Sequence, residues 1–397
     1  MKIKVVHAVT ISQSLNLMKS QIGYLKERGY EMTLVSSPGE ELEAAAQEGT
    51  LTYEVPMERE ISLRRDILSL LRLIRFYRRY KPAISNVGTP KAGLLAGMAA
   101  FLTRVPCRIY TLRGLRLETT SGFKRKVLLF MEKIACLCAH RVICISESLK
   151  ERAIELKLAP RAKTIVLGHG SSNGIQVSKF EACRHSEEAD NLRRKYGLKD
   201  CFVLGYIGRI TRDKGIVELI DAFLQVHKSR PEARLLLAGT YDNAAALPEK
   251  TVKAIEQEPS IIYVGRVNNP APYYYLMDVF IFPTYREGFG NVSLEAAACR
   301  RPVITTNATG ARDTVADNET GIIVPVRNAD ELAMAIHRLA DEPETRQRMG
   351  EAGYERVKTC FRSEIIWEGL DQLYQSMLAG LNQNQVNISK LGREKNG

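Results

Sequence analysis

Two doubly wound α/β lobes are what this sequence predicts, on three grounds. Its 397 residues suffice for two domains, each with a buried core of its own. Short apolar runs of strand length alternate with helical patterns, and this rhythm breaks and then restarts partway along the chain. The composition, 45% apolar and 26% charged, is that of a soluble globular protein and excludes a disordered, collagen-like or disulfide-stapled chain.

In the first lobe, residues 2–9 read as a buried strand, followed by a loop and a helix over Leu15–Arg28 that Gly29 ends. Further strands are expected at 31–36, 83–87, 107–111, 141–145 and 164–167, with helices between them. The polar stretch Ser178–Asn191 reads as the linker. Strands then resume at 201–207, 234–238, 261–264, 279–282, 302–306 and 321–324. The expected division is residues 1–178, residues 192–372, and a terminal helix with a polar tail over 373–397. Two Rossmann-like lobes would face each other across a cleft, where open α/β sheets bind ligands at their strand ends.

The net charge of +12 is unevenly placed: residues 1–170 carry 28 basic and 15 acidic side chains, and the remainder 29 and 30. A polyanionic partner is therefore expected for the first lobe: lipid surface, nucleic acid or a phosphate-bearing substrate. The eight cysteines form no C-x-x-C pair and read as small buried hydrophobes in a reducing compartment. The first residues lack the apolar segment of a signal peptide. The uncharged stretch 92–103 is too short to span a bilayer, so membrane contact is expected to be peripheral.

Two motifs carry chemistry. In Glu287-Gly288-Phe289-Gly290-Asn291, followed by Glu295, a strand runs through a glycine loop into a helix that Asn291 is placed to cap. Backbone N–H groups at such a start favour anions. Glu287 and Glu295 are placed to grip different hydroxyls of a sugar nucleotide; the plainer alternative is one helix-dipole carboxylate and one solvated loop residue. The second motif, Gly205-Tyr206-Ile207-Gly208-Arg209 through Lys214-Gly215, puts a forked and a flexible cation in one strand–helix turn, which suits a diphosphate. It is neither a Walker loop nor G-x-G-x-x-G.

Together these motifs resemble the retaining glycosyltransferases of family 4, of GT-B fold, and the match runs over nearly the whole chain. Its most specific parts are Phe282-Pro283-Thr284-Tyr285-Arg286-Glu287-Gly288 leading to Glu295, then Arg301-Pro302-Val303-Ile304-Thr305-Thr306, Thr309-Gly310 and the strand at 321–324. Within the family the chain is similar to the bacterial enzymes of capsule, exopolysaccharide and O-antigen synthesis. The resemblance implies a UDP-sugar donor and a lipid-diphosphate-linked acceptor at the inner membrane face. Arg209 and Lys214 would hold the donor pyrophosphate beside Gly208, and Glu295 the ribose. Glu287, with Gly288, Phe289 and Gly290, would meet the donor sugar. The backbone at Arg266 and Val267 would hold the base. No D-x-D occurs, which fits cationic side chains rather than a metal at the diphosphate.

Two departures stand out. Many members carry Gly-Gly in the first loop, where this chain has Thr10-Ile11-Ser12. Many carry a histidine where this chain has Arg113, which cannot serve as a base and is expected to act as an electrostatic clamp on the acceptor's phosphate; a plain surface arginine is the alternative. Lys91, at the start of a helix after Gly88-Thr89-Pro90, is expected at the same diphosphate; a simple turn is the alternative.

From Ile61 to Arg79, Leu63, Ile67, Leu70, Leu71, Ile74 and Tyr77 fall on one helical face, expected to pack on the core. Arg64, Arg65, Arg72, Arg75 and Arg79 lie opposite, interrupted by Leu68 and Phe76, and are expected to sit on anionic headgroups with those two dipping between them; a solvated basic side is the alternative. Phe123-Lys124-Arg125-Lys126 and the apolar run after it would extend that surface. Two other classes stay open: a GT-B epimerase acting on a UDP-sugar without acceptor, and a basic membrane- or nucleic-acid-binding module. No nucleic-acid motif supports the last.

Overall fold

The structure, a computed structural model, describes residues 2–58, 62–241 and 247–394, with backbone alone for 382–394. Ile61 and residues 395–397, the end of the helix and tail expected over 373–397, lie outside the described residues. The chain divides into two compact units: Met1–Ile145, Lys150–Asn173 and Ser363–Gly397 form the first, Ser146–Leu149 and Gly174–Arg362 the second.

The first unit holds a seven-stranded parallel sheet in the order β3-β2-β1-β4-β5-β6-β7. Its strands are β1 (Ile3–Ala8), β2 (Tyr30–Ser36), β3 (Leu51–Glu54), β4 (Ile84–Gly88), β5 (Cys107–Leu112), β6 (Arg141–Cys144) and β7 (Thr164–Ile165). The second unit repeats the plan with six parallel strands in the order β10-β9-β8-β11-β12-β13. These are β8 (Phe202–Ile207), β9 (Ala233–Ala238), β10 (Ile261–Gly265), β11 (Val279–Phe282), β12 (Val303–Thr306) and β13 (Gly321–Val324). The inner strands are near-continuous β-branched and leucine runs because helices cover both of their faces. Each order reverses direction once, between β1 and β4 and between β8 and β11, so each sheet has a switch point where loops part at the carboxyl ends.

Four expectations need correction. The helix expected over Leu15–Arg28 is a 3₁₀ helix, Ser12–Met18, followed by an α-helix, Gln21–Glu27. Ser12, Leu15 and Met18 are its buried residues, a spacing of three that suits the tighter helix. The edge strand β3 was not expected; it is too exposed to show an apolar run. The stretch 178–191 is no linker. It holds the helices Val177–Glu181 and Glu187–Lys195, the latter capped by Ser186, whose side chain accepts from the Ala189 N–H, and flanked by acids in its first turn and bases in its last. The division falls instead between Asn173 and Gly174, and everything from Ser363 returns to the first unit. That return is a helix, Ser363–Glu394, whose Leu370 and Tyr374 join the core cluster of Val5, Leu25, Tyr30, Ile84 and Ile109. Tyr374 Oη meets His7 Nε2 at 2.7 Å and accepts from Asn86 Nδ2 at 2.9 Å.

Candidate active site

The second unit gathers the predicted donor residues at its switch point. β8 ends at Ile207, and Gly208 and Arg209 follow; a 3₁₀ turn, Arg212–Lys214, leads through Gly215 into the helix Ile216–Ser229. Gly215 has φ +73°, and a Cβ there would overlap the carbonyl oxygen of Pro283. That close approach lays the Arg209–Lys214 turn against the loop after β11. Tyr285 N–H and Thr284 Oγ1 both donate to the Asp213 carbonyl, at 2.9 and 3.2 Å. The Arg286 guanidinium reaches the Asp213 carboxylate at 3.2 Å, and Thr211 Oγ1 donates to its other oxygen at 2.6 Å. Between these tethers the Lys214 ammonium forms an ion pair with Glu287.

Lys214 is pressed down to about 7, first by burial and then by Arg209 and Arg286, with Asp213 opposing. Two cations of this turn and Arg286 of the facing loop therefore crowd one site, with Asp213 and Glu287 among their partners. Asp213 itself is lowered by Thr211 and the surrounding cations, against the effect of burial. Such a site is charged for an anion larger than the carboxylate it contains. Beside it Ile207, Gly208, Arg209, Ala238, Gly239, Thr240, Arg266 and Val267 line a cavity of about 200 Å³, of a size for a planar base or ribose.

The glycine loop is fixed from a third side. Ser146 Oγ donates to the Gly288 carbonyl at 2.8 Å, and Ser148 Oγ accepts from Gly310 N–H at 2.7 Å while donating to the Asp313 carboxylate. Gly310, at φ +76°, has no room for a Cβ because the carbonyls of Glu287 and Gly288 stand 2.6 Å from where it would lie. Phe289 is buried against Phe361. Gly290, not Asn291, is the cap of the helix Asn291–Ala298, and Asn291 is its first residue. Glu295, one turn in, accepts from Tyr274 Oη at 2.8 Å; burial raises its pKa and that bond opposes the rise. Asp213, Arg286, Ser146, Ser148 and Tyr274 were not singled out from the sequence. Arg286, next to Glu287, and Asp213, next to Lys214, stand inside the two motifs and were the legible signals.

In the first unit the switch point departs, as the sequence indicates, from the Gly-Gly loop of many family members. Thr10 N–H donates to Thr89 Oγ1 at 3.0 Å, and Thr10 Oγ1 accepts from Ala92 N–H at 3.1 Å, so threonines rather than glycines join the β1 and β4 loops. Lys91 does not reach out toward a ligand as expected: it is buried, with its ammonium 2.8 Å from Asp66. Its stem runs inward from the helix Pro90–Leu102, and Asp66 on the helix Leu63–Tyr80 meets it there. Arg113, just past β5, keeps Nε and Nη1 buried without a hydrogen-bond partner among the described residues. Nε lies 3.1 Å from where a Cβ on Gly88 would be, so the glycine leaves the guanidinium its space. Burial lowers Arg113 to about 10, Tyr110 opposing, and an orphaned buried guanidinium is a place for an anion.

A parallel-sheet switch point with paired cations, a carboxylate and an adjacent cavity is the arrangement of a glycosyltransferase site. The chain belongs to family 4 of the glycosyltransferases, with the GT-B fold: residues 188–356 match the family described as "Glycosyl transferases group 1" and residues 18–170 the "Glycosyl transferase 4-like domain". It is 45% identical over 377 residues to the "Capsular polysaccharide biosynthesis glycosyltransferase CapM" of Staphylococcus aureus, covering 94% of this chain and 97% of that one. It is 25% identical over 352 residues to the "UDP-Gal:alpha-D-GlcNAc-diphosphoundecaprenol alpha-1,3-galactosyltransferase" of Escherichia coli, covering 86% of this chain and 89% of that one. Among solved structures, Anabaena Alr3699/HepE in complex with UDP superposes with a TM-score of 0.77 at 19% identity, over 95% of this chain and 100% of that one.

Proposed function

We propose that this glycosyltransferase moves a sugar from a UDP-sugar, with retention at the anomeric carbon, to a saccharide carried on a lipid diphosphate in capsular polysaccharide synthesis. The observation that carries the proposal is the Arg209–Lys214–Glu287 cluster at the β8/β11 switch point, with its Asp213–Arg286 tether. The relatives' names agree with it: one acts in capsular polysaccharide biosynthesis, and another takes UDP-Gal and a diphosphoundecaprenol acceptor.

In this reading the uracil and ribose enter the cavity beside Arg266 and Val267, and the free oxygen of Glu295 receives ribose hydroxyls. The diphosphate displaces Glu287 from the Lys214 ammonium and lies between Lys214 and Arg209, near the N–H groups of Gly288, Phe289 and Gly290. Glu287, released, accepts from hydroxyls of the donor sugar. As the bond from the anomeric carbon to the diphosphate oxygen breaks, negative charge grows on that oxygen. The two cations stabilise it without a metal. The departing oxygen takes the proton of the attacking acceptor hydroxyl on the same face, so configuration is kept. Arg113 accepts the phosphate of the acceptor; Lys91, already paired with Asp66, takes no part.

The test is to incubate the purified protein with a panel of UDP-sugars and a lipid-diphosphate saccharide, and to follow UDP release and the anomeric configuration of the product. Lys214→Ala and Glu287→Ala should each lower turnover by about 10²–10³. Full activity in either variant overturns that residue's role, and an inverted product overturns retention.

A further inference from the structure

The helix Leu63–Tyr80 is rolled away from its expected seat. Ser69, Leu73 and Tyr77 are its buried residues, whereas Leu63, Ile67 and Leu71, expected in the core, are exposed, Leu63 by 76%. The cause is a set of polar and aromatic anchors on one flank. Asp66 meets Lys91, Ser69 Oγ donates to the Pro56 carbonyl at 2.5 Å, and Tyr77 Oη bonds Ser85 Oγ at 2.7 Å. Phe76, expected to dip into lipid, is stacked between Tyr53 and Tyr80 and does not. Leu68 is exposed as expected.

A second helix, Gly122–Cys138, presents an outward stripe of unusual composition. Phe123, Lys126, Phe130, Lys133 and Leu137 recur at intervals of three and four, so they share one face, and all five are exposed. The apolar members are exposed by 80%, 65% and 73%. The helix Pro90–Leu102 packs between these two helices. The crossovers β3→β4, β4→β5 and β5→β6 all run the same way along the sheet, so right-handed connections place the three helices on one face. The outer strip of the central helix is Leu94, Met98 and Phe101, apolar as well and increasingly exposed toward its end. An outer surface that is apolar across three helices yet studded with lysine and arginine is not what a solvated face or a core requires.

We infer that this three-helix face docks on an anionic phospholipid bilayer. Phe123, Phe130, Leu137, Leu63 and Leu71 enter the acyl boundary, and Lys126, Lys133 and the arginines at 64, 72 and 75 reach the headgroups. The alternation along the stripe carries the assignment: lysine stems lie along apolar surface and deliver their charge one layer above it, which a protein interface of this kind would leave unpaired. The absence of acid among the five stripe residues gives the charge complementarity. No described helix is long and apolar enough to cross a membrane, and this surface needs none. The inference agrees with a lipid-linked acceptor but does not depend on it.

The test uses the full chain with vesicles of phosphatidylcholine alone or with 30% phosphatidylglycerol, neither containing any saccharide acceptor, in a flotation assay. Binding should require phosphatidylglycerol and weaken at least tenfold in Phe123→Ser/Phe130→Ser. Lys126→Glu/Lys133→Glu should remove the preference for the anionic vesicles. Unchanged Trp367 fluorescence and unchanged UDP binding show that the variants are folded. Equal vesicle binding by wild type and both variants overturns the inference. So does failure of the wild type to float, or variants that only dissociate a dimer of this chain while still floating.

Discussion

Tyr374→Phe is expected to destabilise the first unit far more than the loss of one oxygen suggests. The Tyr374 hydroxyl is buried and serves two buried partners, accepting from Asn86 Nδ2 at 2.9 Å and meeting His7 Nε2 at 2.7 Å. Because Asn86 donates to it, its own hydrogen goes to His7 Nε2, leaving the imidazole N–H on Nδ1, which faces the Met18 sulfur at 3.2 Å. Phenylalanine fills the same space, so no cavity term arises. Two buried polar groups lose their partner at about 1–3 kcal/mol each, together about 2–6 kcal/mol. With a urea slope of roughly 2 kcal/mol/M, the unfolding midpoint of this unit should fall by about 1–3 M. The assay is built into the chain: its only tryptophan, Trp367, lies on the same terminal helix and donates to Asn173 Oδ1 at 2.7 Å. Its fluorescence therefore reports this unit. A midpoint shift below about 0.2 M would refute the reasoning, because it would mean the two partners are satisfied without the hydroxyl.

Three further outcomes are expected. With Lys214 pressed to about 7, roughly nine in ten of its amines are neutral at pH 8, and a diphosphate that favours the charged form must bring a proton with it. UDP binding, measured calorimetrically in buffers of different ionisation enthalpy, should take up close to one proton at pH 8 and far less at pH 6, and the difference should vanish in Lys214→Met. His7 is held down to about 3, by burial first and Arg113 next, so it stays neutral in the fold while the unfolded chain protonates it below about 6.5. Stability is full above that value and falls as pH drops through the window down to about 3, by about 2 kcal/mol between pH 7 and 5; His7→Gln should flatten that slope in urea titrations. Gly215→Ala forces an alanine into the left-handed region against the Pro283 carbonyl, so UDP affinity should fall at least tenfold by equilibrium dialysis while Trp367 unfolding is unmoved.

Most strands were legible because an inner strand of a parallel sheet is apolar on both faces, and runs such as 202–207 and 279–282 have no other place to go. β3 was not, since an exposed edge leaves no such mark. The residues of the β8/β11 switch point were legible as motifs, but Asp213 and Arg286 lie 73 positions apart, and nothing local says that they meet. Periodicity marked the apolar arc of the helix Leu63–Tyr80 correctly. It could not say which flank a neighbour would cover, because that was decided by Asp66, Ser69 and Tyr77 finding partners on other elements. Polarity alone suggested a linker over 178–191, where serine capping and charge order in fact build a helix. Lys91 read as a ligand contact because a lysine at a helix start points to anions, and its burial against Asp66 is a tertiary fact.

The terminal helix that closes the first unit also sets an order of assembly. The second unit's own ends are already joined, Ile175 N–H donating to the Phe361 carbonyl at 2.7 Å, so nearly all of it lies between two neighbouring points of the chain. On the ribosome that inserted unit emerges whole before the segment from Ser363 is made. The nascent first unit must therefore wait, with its Val5, Leu25 and Ile84 core uncovered on one side, until Leu370 and Tyr374 arrive. The half of the protein that begins first is finished last, and its core stands open in the interval.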